Sequence, residues 1–290
     1  MSLNLEDGAN AVLEELKRQQ KEGLESIYLE QETLDELRAA LGSRVVAIPT
    51  PENPTAKPIA KPHGEKIRGE ASFLSTPPVV NLMEGSKESR TSQLREQVLA
   101  CPACNANLNP GAKVVFGVGD LNSEIFFCGE APGADEEMAG EPFVGPAGKL
   151  LDKVIATMGL SREKVYIGNV MNWRPRHQQA FGNRPPTDEE MQFCMPYLKA
   201  QIEIVEPKVI VALGRIATNG LMQPDPNLKM GDLRGKWSEF GEGPVMITYH
   251  PSYLLHNTSN LAKRRVWEDL LMVMERLEMS ISKKQRAFFL

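Results

Sequence analysis

The sequence predicts an α/β fold in three layers, with a four-stranded, mainly parallel sheet between two sets of helices, preceded by a helical arm and a Pro-rich linker. Three observations predict it. Beyond about residue 90, short runs rich in Ile, Val, Phe and Tyr and bounded by Gly or Pro alternate with stretches of helical periodicity. Strands alternating with helices imply a parallel sheet covered on both faces. The chain has 290 residues, 41% hydrophobic and 24% charged, which is enough for one sizeable domain with appendages.

Residues 1–42 read as an acidic helical arm. Ala9, Val12, Leu13 and Leu16 fall at helical spacing, and Thr33 with Glu36 forms a capping box before a short helix that ends at Gly42. Residues 43–90 read as a linker, because Pro49, Pro51, Pro54, Pro58 and Pro62 disfavour both helix and sheet ladders. The α/β domain follows over 91–279, and 280–290 is a tail. Its four strands are Ile125 to Cys128, Val165 to Val170, Val209 to Leu213 and Val245 to Tyr249. Between them, Ala147, Leu150, Leu151, Val154, Ile155 and Met158 share one helix face that stops at Gly159. Thr187 with Glu190 caps a helix that stops before Pro207, and Leu261 to Leu277 makes a last helix with Trp267, Leu270, Leu271 and Met274 inward.

Charge and cysteine usage narrow the function. A formal net charge of -5 argues at first against a nucleic-acid partner. By region, however, residues 1–44 hold ten acids against five bases, which accounts for the whole of that charge, and the remainder is neutral. Four cysteines rule out a disulfide-stapled scaffold, and a Cys cluster in such a chain would sooner hold a metal. No stretch approaches 18 apolar residues and the N-terminus lacks a basic-then-apolar signal, so the expected setting is the cytoplasm, away from membranes, with nothing that demands more than a monomer.

Sites on such sheets lie beyond the strands' carboxyl ends, and each end here carries a special residue. The first strand leads into Gly129-Glu130-Ala131-Pro132-Gly133 and then Gly140 to Gly145, where a helix start offers N–H groups to an anion. The second ends in Asn169, the third in Gly214, the fourth in Tyr249-His250-Pro251-Ser252. Taken singly, each has a plainer reading: a turn glycine, a core Phe143, an Asn capping a turn, a structural His.

In this order the motifs resemble the uracil-DNA glycosylase superfamily, specifically its family-4 type, over roughly residues 95 to 278. Supporting matches are Gly145 to Asp152, Asn183 to Thr187, and Gln201-Ile202 before Pro207. The resemblance implies that Gly129, Phe143, Asn169 and His250 bind uracil and that Glu130, Asn169 and His250 are catalytic. Phe143 would stack on the flipped base. Asn169 would donate to O4 and accept from N3–H, leaving cytosine mispaired. His250 would donate to O2 as charge builds there. Glu130 would orient the pocket or water, or oppose the sugar's positive charge. Ala131 stands where family-1 enzymes carry a water-activating Asp, and Gly133 where they carry the Tyr that excludes thymine. No Lys lies in these motifs as a Schiff-base nucleophile, so a monofunctional enzyme leaving an abasic site is expected. The substrate would be uracil-containing DNA.

By the same resemblance Ser252, Leu254 and Leu255 enter the duplex; Lys263, Arg264 and Arg265 just beyond, with Arg184 in a second basic group alongside Arg174 and Arg176, are candidates for phosphate contacts. A solvated surface is the plainer reading of either charge run. Cys101, Cys104 and Cys194 match three of the four ligands of a [4Fe-4S] cluster, and Trp173 takes the place of the fourth. A cluster completed by an outside ligand or by His177, a zinc site on the same set, and a metal-free corner all remain open. Cys128 reads as a small buried hydrophobe. The alternative function is a non-catalytic or covalent binder of uracil-containing DNA; the covalent type depends on a His-bearing insertion, and Ala134 to Glu141 contains no His. The acidic arm would dock a replication or repair protein.

Overall fold

A computed structural model describes residues 76–176, 183–222, 227, 229–241 and 243–290. The proposed arm, most of the linker and His177 lie outside the described residues.

The sheet has six strands in the order β1-β3-β2-β4-β6-β5. Its middle four are the strands expected from the sequence: β2 (Ile125–Gly129), β3 (Tyr166–Asn169), β4 (Val209–Leu213) and β6 (Gly243–Thr248), all parallel. Two short antiparallel edges were not expected. One is β1 (Val118–Gly119) on β3, and the other is β5 (Trp237–Phe240), which forms a hairpin with β6. β1 is too short to leave a periodic signal, and β5 is largely half-buried, as an edge strand is.

Each buried strand alternates its side chains between two cores. On one face Phe126, Cys128, Tyr166, Ile210, Ala212 and Val245 meet α1 (Lys87–Ala100), α2 (Pro102–Ala106), α5 (Asp188–Val205) and α6 (Gly214–Met222). On the other, Ile125, Phe127, Ile167, Val211, Leu213 and Met246 meet α4 (Pro146–Thr157), α8 (Pro251–His256) and α9 (Asn260–Arg276). Short α3 (Ala134–Ala139) and α7 (Met230–Leu233) lie in the connections, and α10 (Lys283–Arg286) near the end of the chain. The capping box at Thr187 and Glu190 forms as expected and opens α5.

Two segments read as appendages are part of this body. Residues 76–90, assigned to the linker by composition, include the start of α1, and Val80 and Leu82 pack on the first core. In the tail, the Phe288 ring lies 5.8 Å from Trp267, Trp267 Nε1 donates to the Gln285 carbonyl at 2.6 Å, and Gln285 donates to the Thr157 carbonyl at 2.9 Å. No helix among the described residues is long and apolar enough to cross a membrane.

Candidate active site

Gly129 and Asn169 end adjacent parallel strands and stand opposite each other in register. Asn169 is only 6% exposed, and its Oδ1 is enclosed with no hydrogen-bond partner. A buried acceptor left unpaired costs about 1–3 kcal/mol, which marks this oxygen as a candidate acceptor for an incoming donor. Gly129 lets it stand there: a Cβ at that position would collide with Asn169 Oδ1 and with the Phe143 ring.

Phe143 brings its ring to the same point at a backbone cost. Its φ is +53°, the left-handed region that a bulky L-residue seldom occupies. Two charged side chains hold it there. Arg162 donates to the Phe143 carbonyl at 3.0 Å and pairs with Asp152 at 3.0 Å. The Glu136 carboxylate accepts the N–H groups of Val144 at 2.9 Å, Gly145 at 2.8 Å and Gly133 at 3.1 Å. The Val144 and Gly145 N–H groups that lead into α4 are therefore taken by the protein's own carboxylate. Neither Arg162 nor Glu136 was singled out from sequence; Glu136 reaches Val144 and Gly145, eight and nine positions on, across the turn after α3.

His250 lies beside Phe143, with ring centroids 5.7 Å apart and planes tilted by 33°. It is the N-cap of α8, and its Nδ1 accepts the Ser252 N–H at 3.2 Å and sits 2.8 Å from Ser252 Oγ. An Nδ1 that accepts leaves the proton of the neutral ring on Nε2. Burial reinforces this by pulling the imidazole down to about 4, so the ring is neutral at physiological pH and donates from Nε2. Close approach of β4 requires Gly214, whose φ is +88° and whose Cβ would lie 2.8 Å from His250 Cβ. Beneath the loop, Thr248 at the end of β6 donates to buried Asp269 at 2.7 Å, and Arg234 pairs with the same carboxylate. The sequence did not single out this anchor either.

Glu130 follows Gly129 directly, and burial pushes its carboxyl up to about 7. Asn169, Phe143 and His250 thus come together at the carboxyl ends of the strands, and Glu130 follows the last residue of β2. Together they offer an aromatic face, an unpaired amide oxygen, a neutral N–H donor and a carboxylate poised near neutrality.

The duplex-facing set divides. Leu254 is 8% exposed and belongs to the second core, so it cannot enter DNA, whereas Leu255 is 42% exposed. Arg184 makes a two-pronged pair with Glu190 at 2.6 and 2.7 Å, and Arg264 is bound to Glu268 and to the carbonyls of Arg286 and Phe288. Arg174 pairs with buried Glu137 at 2.7 Å. These guanidinium groups serve the fold, which leaves Lys263 and the exposed Arg265 as the phosphate candidates on α9.

Cys101, Cys104, Cys194 and Trp173 share the first core. Cys101 accepts the Cys104 N–H at 3.5 Å; hydrogen bonds from Cys104 and Tyr197 bring its thiol down to about 5, while Cys104 and Cys194 are pushed up, Cys194 chiefly by burial. Trp173 is fully buried edge-on to Phe193, with centroids 6.1 Å apart, and its Nε1 has no partner. Among the described residues, no group of three or more His, Cys, Asp or Glu side chains is arranged to hold a metal ion. An indole donates an N–H and cannot ligate, so Cys101, Cys104 and Cys194 with Trp173 do not make up a four-thiolate set. Cys128 is buried in β2 with its thiol pushed up to about 12, as a small core side chain.

Residues 116–271 match the family model of the uracil DNA glycosylase superfamily. Relatives include the type-4 uracil-DNA glycosylase of Thermotoga maritima, 42% identical over 186 residues that cover 64% of this chain and 93% of the relative. The type-4 uracil-DNA glycosylase of Archaeoglobus fulgidus is 48% identical over 179 residues, covering 58% and 84%. A type-5 uracil-DNA glycosylase of Pyrobaculum aerophilum is 28% identical over 167 residues, covering 52% and 71%.

Proposed function

This chain belongs to the uracil-DNA glycosylase superfamily, and within it to the type-4 enzymes, and from that premise we propose how its residues excise uracil from DNA. It is a DNA-repair hydrolase of N-glycosyl bonds; a non-catalytic binder is not favoured. The observation that carries the assignment of roles is the enclosed, unpaired Asn169 Oδ1 beside the Phe143 ring. Uracil leaves the stack and lies on Phe143, and its N3–H satisfies that oxygen while the Asn169 amide donates to O4. Cytosine, lacking a proton on N3, would leave the acceptor unpaired.

Bond breaking then follows from the charges. As the bond from C1′ to N1 breaks, its electron pair moves onto the base, and His250 Nε2–H donates to O2 where the negative charge gathers. The sugar develops positive charge, which ionised Glu130 opposes from a partly desolvated position. A water oxygen adds to C1′ and loses a proton to solvent, uracil departs as an anion, and an abasic site remains. No motif lysine competes as nucleophile, and no step passes through a metal.

An alkali-cleavage assay on a labelled single-uracil oligonucleotide tests the reading. Wild type is expected to generate alkali-labile sites, and their complete absence would overturn it. The same assay reads Glu130. With its carboxyl pushed up to about 7 and the ionised form required, the single-turnover rate is expected to rise as pH passes through about 7 and then level off. Glu130→Gln should remove that limb and lower the plateau about 10²-fold. Leu255, exposed at the end of α8, is proposed as the wedge that holds the gap. Leu255→Ala should slow excision from duplex several-fold and leave single strands unaffected; equal loss on both would remove it from that role. The acidic residues 1–42 are proposed as a docking arm for a repair or replication protein, on a monomer acting in the cytoplasm, an idea supported by the confinement of the net charge to that region.

A further inference from the structure

We infer that this chain has exchanged a metal-ligand position for an aromatic core residue, so that the corner formed by Cys101, Cys104, Cys194 and Trp173 is a metal-free core and the enzyme folds and excises uracil without an iron–sulfur cluster. The inference rests on the type-4 assignment, which is what raises the expectation of a cluster.

Four features of the corner support it. The donor set is short by one: three thiols are present, and an indole supplies an N–H but no lone pair for a metal. No described histidine makes up the set, because His250 caps α8 on the opposite face of the sheet and His256 ends the same helix. Space is the second feature. Trp173 is completely buried and shares the first core with Phe193, Leu94, Val98 and the fully buried Cys104 and Cys194, while Cys101 borders a cleft of about 570 Å³ that Phe193 and Tyr197 also line. Third, one of the thiols already has a role in the fold: Cys101 caps α2 by accepting the Cys104 N–H at 3.5 Å. Fourth, the energetics allow the exchange. A cluster would tie α2, α5 and the loop that follows β3 together by bonds; a buried Trp ties the same three by packing. The unpaired Trp173 Nε1 is the residual cost of the exchange, a polar atom carried into a corner that offers it no acceptor.

Zinc and iron are separated by the same experiment. The full chain is purified, then treated anaerobically with ferrous iron, sulfide and a reductant, and desalted. Iron, acid-labile sulfide and zinc are measured together with the visible absorbance. Wild type is expected to hold none of them in stoichiometric amount, to show no broad visible band, and to excise uracil equally well after exposure to a strong chelator. Trp173→Cys restores a four-thiolate set and is expected to gain the band together with iron and sulfide under the same treatment. Stoichiometric iron or zinc in wild type would overturn the inference. A Trp173→Cys protein that is folded by circular dichroism yet takes up no iron would overturn the assignment of Trp173 as the exchanged ligand. Should that variant fail to fold, the wild-type measurement still decides. Because metal content is read apart from activity, a wild type without excision would overturn the proposed function and the claim of cluster-free excision, and leave the metal-free core standing.

Discussion

Asn169→Ala is expected to lower kcat/KM on a uracil-containing oligonucleotide by about 10²- to 10³-fold, or ~3–4 kcal/mol of transition-state stabilisation. Two hydrogen bonds to the base edge are lost at once, in a position 6% exposed where water replaces them poorly. The same contacts hold the flipped base before chemistry, so the loss should be divided between a weaker KM and a slower single-turnover rate. Discrimination should fall with it, because the unpaired Oδ1 is the atom that cytosine cannot satisfy. A variant within about threefold of wild type would mean that Asn169 only caps the end of β3.

His250→Ala should behave differently, with kcat falling about 10²- to 10³-fold and substrate binding nearly unchanged. The charge on O2 that His250 meets grows only as the bond breaks, so the interaction is worth most in the transition state. Its ring titrates at about 4, below the working range, and it therefore contributes no pH limb of its own between about 5 and 8. The rise attributed to Glu130 should persist in the His250 variant. Single-turnover rates across that range check both points, and disappearance of the rise in His250→Ala would reassign the limb to the imidazole.

The four central strands were legible because each is an unbroken apolar run between Gly or Pro, and the chemistry at their ends was legible because strand ends are where such sheets bind ligands. Asn169 and His250 follow from that placement once the ordered motifs are seen. The remainder depended on partners distant in the chain. Nothing local in Arg184 or Arg264 foretells that Glu190 or the Phe288 carbonyl will occupy it. Leu254 and Leu255 are adjacent and equally apolar, and only the rotation of the short α8 sends one inward and the other out. Composition marked residues 76–90 as linker, yet Val80 and Leu82 gain from burial against a core whose surface the composition does not describe.

Neighbouring side chains of β2 belong to different cores: Phe126 and Cys128 to the one that holds Trp173, Ile125 and Phe127 to the one that holds Phe143 and Leu254. Changes in one core have few shared partners in the other, and effects on stability from the two should therefore sum with little coupling. For inheritance this is a form of modularity. A lineage can lose a ligand, replace it with a ring and repack around it on one side of the sheet while the residues that meet uracil stay under unchanged selection on the other.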